Sequence, residues 1–186
     1  MEESHVYLEG EWIVHSHFGV GQIKGIEVKS ISGGNTRYYR IKTADSTFWV
    51  PLDQMDSEVL RPLSTPEEIQ HAIATLQNPP KEMSSNTKIR QSRIQSVRIG
   101  NTPGAIARLI RDLRARKRVK GILYSSERSA FRSLSERLVQ EWAIVTDTKT
   151  EVIASELDSL LETPRAFAVE EKPPADDPGT DDDPLT

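Results

Sequence analysis

The chain has 186 residues, 36% of them hydrophobic and 28% charged, enough to bury one medium core or two small ones. It contains no cysteine, which excludes a disulfide framework, a thiolate metal site and cysteine redox chemistry, and makes the reducing cytoplasm its expected home. Met1-Glu2-Glu3-Ser4-His5 carries acid where a signal peptide carries base. No apolar run approaches the roughly 20 residues that span a bilayer, so neither secretion nor a membrane is expected. The net charge of −4 hides an asymmetry, because residues 81–140 hold 15 Lys/Arg against 4 Asp/Glu. A solvated helical face usually mixes signs, whereas a one-sided basic block steers association with polyanions.

Residues 9–52 read as β. Trp12-Ile13-Val14, Val20 through Val28, Tyr38-Tyr39-Arg40-Ile41 and Thr47-Phe48-Trp49-Val50 are short β-rich runs, separated by Gly19, Gly33-Gly34 and Ala44-Asp45-Ser46. Four or five such strands in so few residues predict a small barrel. Gly33-Gly34-Asn35 is suited to closing a hairpin, and Pro51 removes a ladder donor and so ends the last strand.

The periodicity then becomes helical. Thr65-Pro66-Glu67-Glu68 combines a cap, a proline at the first helical position and a capping-box Glu, opening a helix that runs to about Gln77. Asn78-Pro79-Pro80 stops it and forms a linker. Ile89, Ile94 and Val97 predict a second helix ending near Gly100. Asn101-Thr102-Pro103 opens a third, with Ala105, Ile106, Leu109, Ile110 and Leu113 on one face. The face predicted to be exposed carries Arg108, Arg111, Arg114, Arg116, Lys117, Arg118 and Lys120. Ser125-Ser126-Glu127 caps a fourth helix with the stripe Phe131, Leu134, Leu138 and Trp142, and Val145 beyond. Thr148 starts a fifth through Val152, Ile153, Leu157, Leu160 and Leu161. From Thr163 onward the chain is rich in Pro, Asp and Glu, the composition of a disordered acidic tail that keeps the protein in solution or competes for the basic helices. There is no internal repeat. The expected fold is thus α+β: residues 1–64 a β-barrel, 65–162 an all-α bundle of about five helices, and 163–186 the tail.

No catalytic or metal site is expected. His15 and His17 share a strand face, but no nearby acid or thiol completes a ligand set, and the other two histidines stand apart. Gly19-Val20-Gly21 lacks the following Lys-Ser/Thr of a phosphate loop and reads as a tight turn. Scattered histidines give no Ser/His/Asp order, and the Asp-rich tail lacks the Gly and Glu positions of a calcium loop.

Trp12-Ile13-Val14-His15-Ser16-His17-Phe18-Gly19-Val20-Gly21-Gln22-Ile23, with Ile26-Glu27, Tyr38-Tyr39-Arg40-Ile41, Val50-Pro51 and Leu60-Arg61-Pro62-Leu63, resembles the CarD family of bacterial transcription regulators. It is also similar to the RNA-polymerase-interacting module of the transcription-repair coupling factor. Gly100-Asn101, Leu109-Ile110-Arg111-Asp112-Leu113 and Leu123-Tyr124-Ser125-Ser126-Glu127-Arg128 are similar to the CarD helical domain, whereas the repair factor would continue into a helicase.

The resemblance implies a Tudor-like (SH3-like) barrel that binds the RNA polymerase β subunit by adding strand to strand, and a helical domain that touches promoter DNA near the upstream edge of the melted region. Lys29 and Ile31 fall on the polymerase-facing strand. Trp49 stands where some relatives carry Arg, and as an aromatic it can anchor an interface. Lys88, Arg90 and Arg128 fall on DNA-contacting helices, and with Arg111 they are the expected phosphate ligands. Asn86 occupies the place of the family's wedge tryptophan and lacks a stacking face. Trp142 reads as core. The expected protein is a monomer with no enzymatic activity, cofactor or small-molecule substrate. A protein-only adaptor, whose helical domain binds a second protein or RNA, is the alternative; salt-sensitive DNA protection separates the two.

Overall fold

A computed structural model describes residues 7–31, 34–54, 60–100 and 102–163. The strands β1 (Trp12–His15), β2 (Gly19–Ile31), β3 (Gly34–Lys42), β4 (Thr47–Pro51) and β5 (Leu60–Pro62) precede the helices α1 (Pro66–Gln77), α2 (Thr87–Gly100), α3 (Pro103–Lys120), α4 (Ser125–Val145) and α5 (Thr150–Glu162). The sheet is antiparallel in the order β4-β3-β2-β1-β5. The fold is therefore α+β.

The chain turns through residues 16–18, and Gly19, at φ 77°, opens β2; Gly19-Val20-Gly21, expected as a tight turn, instead pairs with β1 as strand. At Gly21 a Cβ would lie 2.6 Å from the Ile41 side chain, so only glycine lets β2 approach its neighbour. The β2–β3 hairpin closes between Ile31 and Gly34, which already belongs to the strand, and Gly33 lies outside the described residues. Pro51 ends β4. Inward positions Ile13, Ile23, Tyr39, Ile41, Phe48, Val50 and Leu60 form one core, with Tyr7 packed edge-to-face on Tyr39.

Thr65 and Glu68 form the reciprocal capping box at the start of α1. The helices bury a second core around Ile106, Leu109, Ile110, Leu113, Leu134, Leu138 and Trp142, each contributing roughly 1.5–3 kcal/mol on burial of its side chain. Two predicted core positions face outward instead, since Ile89 is 58% and Val152 55% exposed. The last helix begins at Thr150, two residues after the predicted start. Residues 164–186 lie outside the described residues. No described helix is long and apolar enough to cross a membrane.

Helix α4 joins the two cores. Glu141, fully buried, receives both terminal nitrogens of Arg61 at 2.6 Å and the backbone N–H of Ser64 at 3.0 Å. One turn earlier, Arg137 Nη2 donates to the Ser16 carbonyl at 2.5 Å in the β1–β2 turn. A charged group this deeply buried is tolerable only with such complete pairing.

Candidate binding surfaces

The sheet presents one side chain cluster built from three strands. Register places Arg40 opposite Trp49 and Glu27 opposite Tyr38, so Glu27, Arg40 and Trp49 share the outer face. Trp49 Nε1 donates to Glu27 Oε2 at 2.7 Å, Glu27 pairs with Arg40 at 3.2 Å, and Lys29 Nζ sits 3.2 Å from the indole centroid. Lys29 and Trp49, expected separately as partner contacts, are thus brought together, with the indole 39% exposed and held in one orientation by a hydrogen bond and a cation–π contact. Ile31 ends β2.

Between Lys24 and Ile31, β2 is bonded to β3 on one side, and among the described residues no strand covers its other side, because β1 reaches only Gln22. Ile26 and Val28, 43% and 62% exposed, lie along this open stretch. An uncovered edge carries free N–H and C=O groups that can pair with another chain.

The basic block of the helices is sorted by the fold into two classes. Arg90 is 2% exposed, contrary to its expected place on a contact surface. Its Nε donates to Glu127 at 2.6 Å, Nη1 to the Ser84 and Ser85 carbonyls at 2.8 and 2.7 Å, and Nη2 to Thr87 at 3.2 Å. Arg111 is also buried, paired with Asp112 at 2.8 Å and bonded to the Thr75 carbonyl at 3.1 Å, so it ties α1 to α3. Arg116 and Arg93 complete the two carboxylate clusters at 3.4 and 2.5 Å. Both predicted contacts at Arg90 and Arg111 are therefore corrected: Glu127, 37 residues on, neutralises Arg90, the adjacent Asp112 neutralises Arg111, and both side chains are buried. Arg114 and Arg116 are likewise only partly accessible, contrary to the exposed face expected of them.

Lys88 and Arg128 are exposed. They stand at the first turns of α2 and α4, which the Arg90–Glu127 pair and a 2.5 Å bond from Gln91 to Ser126 hold side by side. Two helix N-termini with two cations suit an anionic ligand, since free N–H groups and the helix dipole favour negative charge. Burial alone would raise the Glu127 pKa, but hydrogen bonds from Arg90 and the Tyr124 N–H, with the charges of Arg116 and Arg90, hold it below its ordinary value.

Asn86, at the position expected for a wedge, caps α2: its Oδ1 accepts from the Lys88 N–H at 2.9 Å. Two exposed apolar residues that sequence reasoning missed precede α4. Tyr124 is 61% exposed with its ring over Arg90 at 5.6 Å, and Ile122 is 69% exposed. The only available signal was an aromatic directly before Ser125, which was expected to cap α4; Tyr124 itself is the N-cap residue, and Glu127 accepts its N–H at 3.1 Å. His15 does structural work, its Nδ1 accepting from the His17 and Phe18 N–H groups at 3.0 and 3.4 Å. Burial first, then the charges of His17 and Arg137, lower its pKa to about 4. No group of three or more potential metal-binding side chains occurs among the described residues.

An uncovered strand edge with an anchored tryptophan, braced through one helix to paired basic helix termini, defines a two-module binding protein. Residues 7–64 match the family model described as CarD-like/TRCF RID domain, and residues 71–158 match CarD, C-terminal domain. The chain belongs to the CarD family, whose members are transcription factors rather than enzymes, and the first match identifies an RNA-polymerase-interacting module.

Proposed function

We propose that this protein is a cytoplasmic transcription regulator that tethers to the polymerase β subunit through residues 1–64 and lays residues 65–162 against promoter DNA. The Tudor-like module adds a strand of the partner to the open edge of β2, beside Lys29, Ile31 and Trp49. Main-chain bonds then give affinity, and the alternating side chains Ile26, Val28 and the anchored Trp49 give selectivity. At the other end Lys88 and Arg128 bind phosphates without reading sequence, while Tyr124 supplies a flat apolar face.

The observation that carries this reading is that α4 holds both ends. Arg128 sits at its start and Glu141, the latch to the sheet, thirteen residues on, which at 1.5 Å per residue separates them by about 20 Å along one rigid helix. A tether so placed turns a weak phosphate contact into an intramolecular one at high effective concentration. Binding the open promoter complex better than the closed one would then shift that equilibrium by the difference in binding free energy.

The test is capture of purified polymerase β subunit by the full chain. The parent retains it, and Lys29→Glu combined with Val28→Asp weakens capture at least tenfold while circular dichroism stays unchanged. Equal capture by parent and variant would refute the docking edge.

A further inference from the structure

The end of α5 is held where the basic part of α3 begins to face solvent. Arg118 donates to three successive carbonyls, Leu161 at 2.6 Å, Glu162, and Thr163 at 3.3 Å, while Arg114 pairs with the Glu162 carboxylate. Beside this clamp an open groove of about 490 Å³, counting the solvent above it, is lined by Leu76, Pro80, Ala115, Val119, Leu160 and Thr163 among others. Val119 is 61% exposed in it, and the buried Nε of Arg114 in its wall has no hydrogen-bond partner among the described residues. A donor left so is expensive, and a carbonyl passing over it would satisfy it.

The chain that leaves Thr163 at this groove reads Pro164-Arg165-Ala166-Phe167-Ala168-Val169-Glu170-Glu171, and residues 164–186 carry 7 acids against 2 bases. Phe167 is four residues beyond a lining residue, a span of at most about 14 Å, so the ring can reach the groove directly. The acids Glu170 and Glu171 begin three residues beyond Phe167, and the exposed Lys117 and Lys120 stand in the same last turn of α3 as the lining residues Arg118 and Val119. On α3 these lysines follow Arg116, whose bond to Glu127 marks the corner where α2 and α4 present Lys88 and Arg128.

We infer that residues 164–171 dock back on the bundle, with Phe167 in the groove between α1, α3 and α5 and the following acids over the end of α3, where they compete with DNA. The competition rests on the proposed DNA contact; the docking does not. Tethering makes the contact intramolecular, so a modest intrinsic affinity suffices. If the docked form occupies about nine-tenths of molecules, DNA binds about tenfold more weakly than to a free surface.

The experiment compares three forms: the full chain, Phe167→Ala, and a chain ending at Thr163. Methyl resonances of Val119 and Leu160 report docking, and anisotropy of a labelled promoter duplex at low salt reports competition. Docking predicts that both altered forms move the same methyl signals, and competition that both bind the duplex more tightly, the shortened chain by about tenfold. Phe167→Ala leaves the charge unchanged, so its gain separates docking from diffuse repulsion. Unmoved methyl signals in Phe167→Ala would overturn the docking. Shifted methyls without tighter binding would overturn the competition, and if no form bound DNA at all the Lys88–Arg128 reading would fall with it.

Discussion

Replacing Arg90 and replacing Lys88 should have opposite consequences, although the two are two positions apart in one basic helix. Arg90→Ala leaves the fully buried Glu127 carboxylate with Arg116 at 3.4 Å as its remaining guanidinium, and frees the Ser84 and Ser85 carbonyls. Removing one partner of a buried pair costs about 3–5 kcal/mol. For a helical unit of this size each kcal/mol lowers Tm by roughly 4–8 °C, so the loss exceeds about 10 °C. Lys88 makes no ion pair among the described residues, so the stability of Lys88→Ala should stay within about 0.5 kcal/mol. Its effect belongs to DNA, where losing one phosphate contact reduces the slope of log K against log salt by about 1. Thermal melts by circular dichroism and duplex titrations at several salt concentrations read both quantities. An Arg90→Ala protein with the parental Tm and weakened DNA binding would refute the sorting of the basic residues into buried bolts and free contacts.

Further outcomes follow from the same geometry. Glu141→Ala removes the carboxylate that Arg61 and the Ser64 N–H share and should cost about 3–5 kcal/mol; with Trp142→Phe added, so that the remaining indoles Trp12 and Trp49 lie in the sheet, the fluorescence and the helical signal at 222 nm should report separate transitions, and coincident ones at the parental Tm would contradict the latch. His15 is held neutral with its pKa lowered from 6.5 to about 4. A depressed histidine contributes fully above its unfolded value and loses that contribution as pH falls from 6.5 towards 4. Stability should therefore drop over this window in the parent and less in His15→Asn, which keeps an acceptor without the titration; parallel pH profiles would disprove the assignment. Glu127, held below its ordinary 4.5, contributes above that pH and adds a further loss as pH falls through its folded value, one that Glu127→Gln, already less stable at neutral pH, should lack.

Strong local signals made most elements legible. The Thr65–Glu68 box, Thr102-Pro103 and the Leu134–Leu138–Trp142 stripe each name a helix without help from elsewhere. Strand β5 lies outside the stretch 9–52 that reads as β, because three residues with a proline among them carry no alternation and gain their pairing from β1, far away in the chain. The surface was harder to read for a similar reason. Arg90 and Ile94 share the inward face of α2 while Ile89 points out, an inversion decided by Glu127, which lies 37 residues on and read as a mere cap. Arg111 looked like one more cation on a charged face, although its neighbour Asp112 is the acid that buries it. Lys29 and Trp49 were predicted separately, and only the register of β2, β3 and β4 shows that they touch.

The most direct test places a photo-crosslinking residue at position 128 of the full chain and irradiates polymerase–promoter complexes. If the sheet module tethers the bundle to DNA, the label attaches to promoter DNA only when polymerase is present, and the yield collapses when Lys29→Glu and Val28→Asp are added. Attachment that is equally strong without polymerase, or that survives those two substitutions, would contradict the tether.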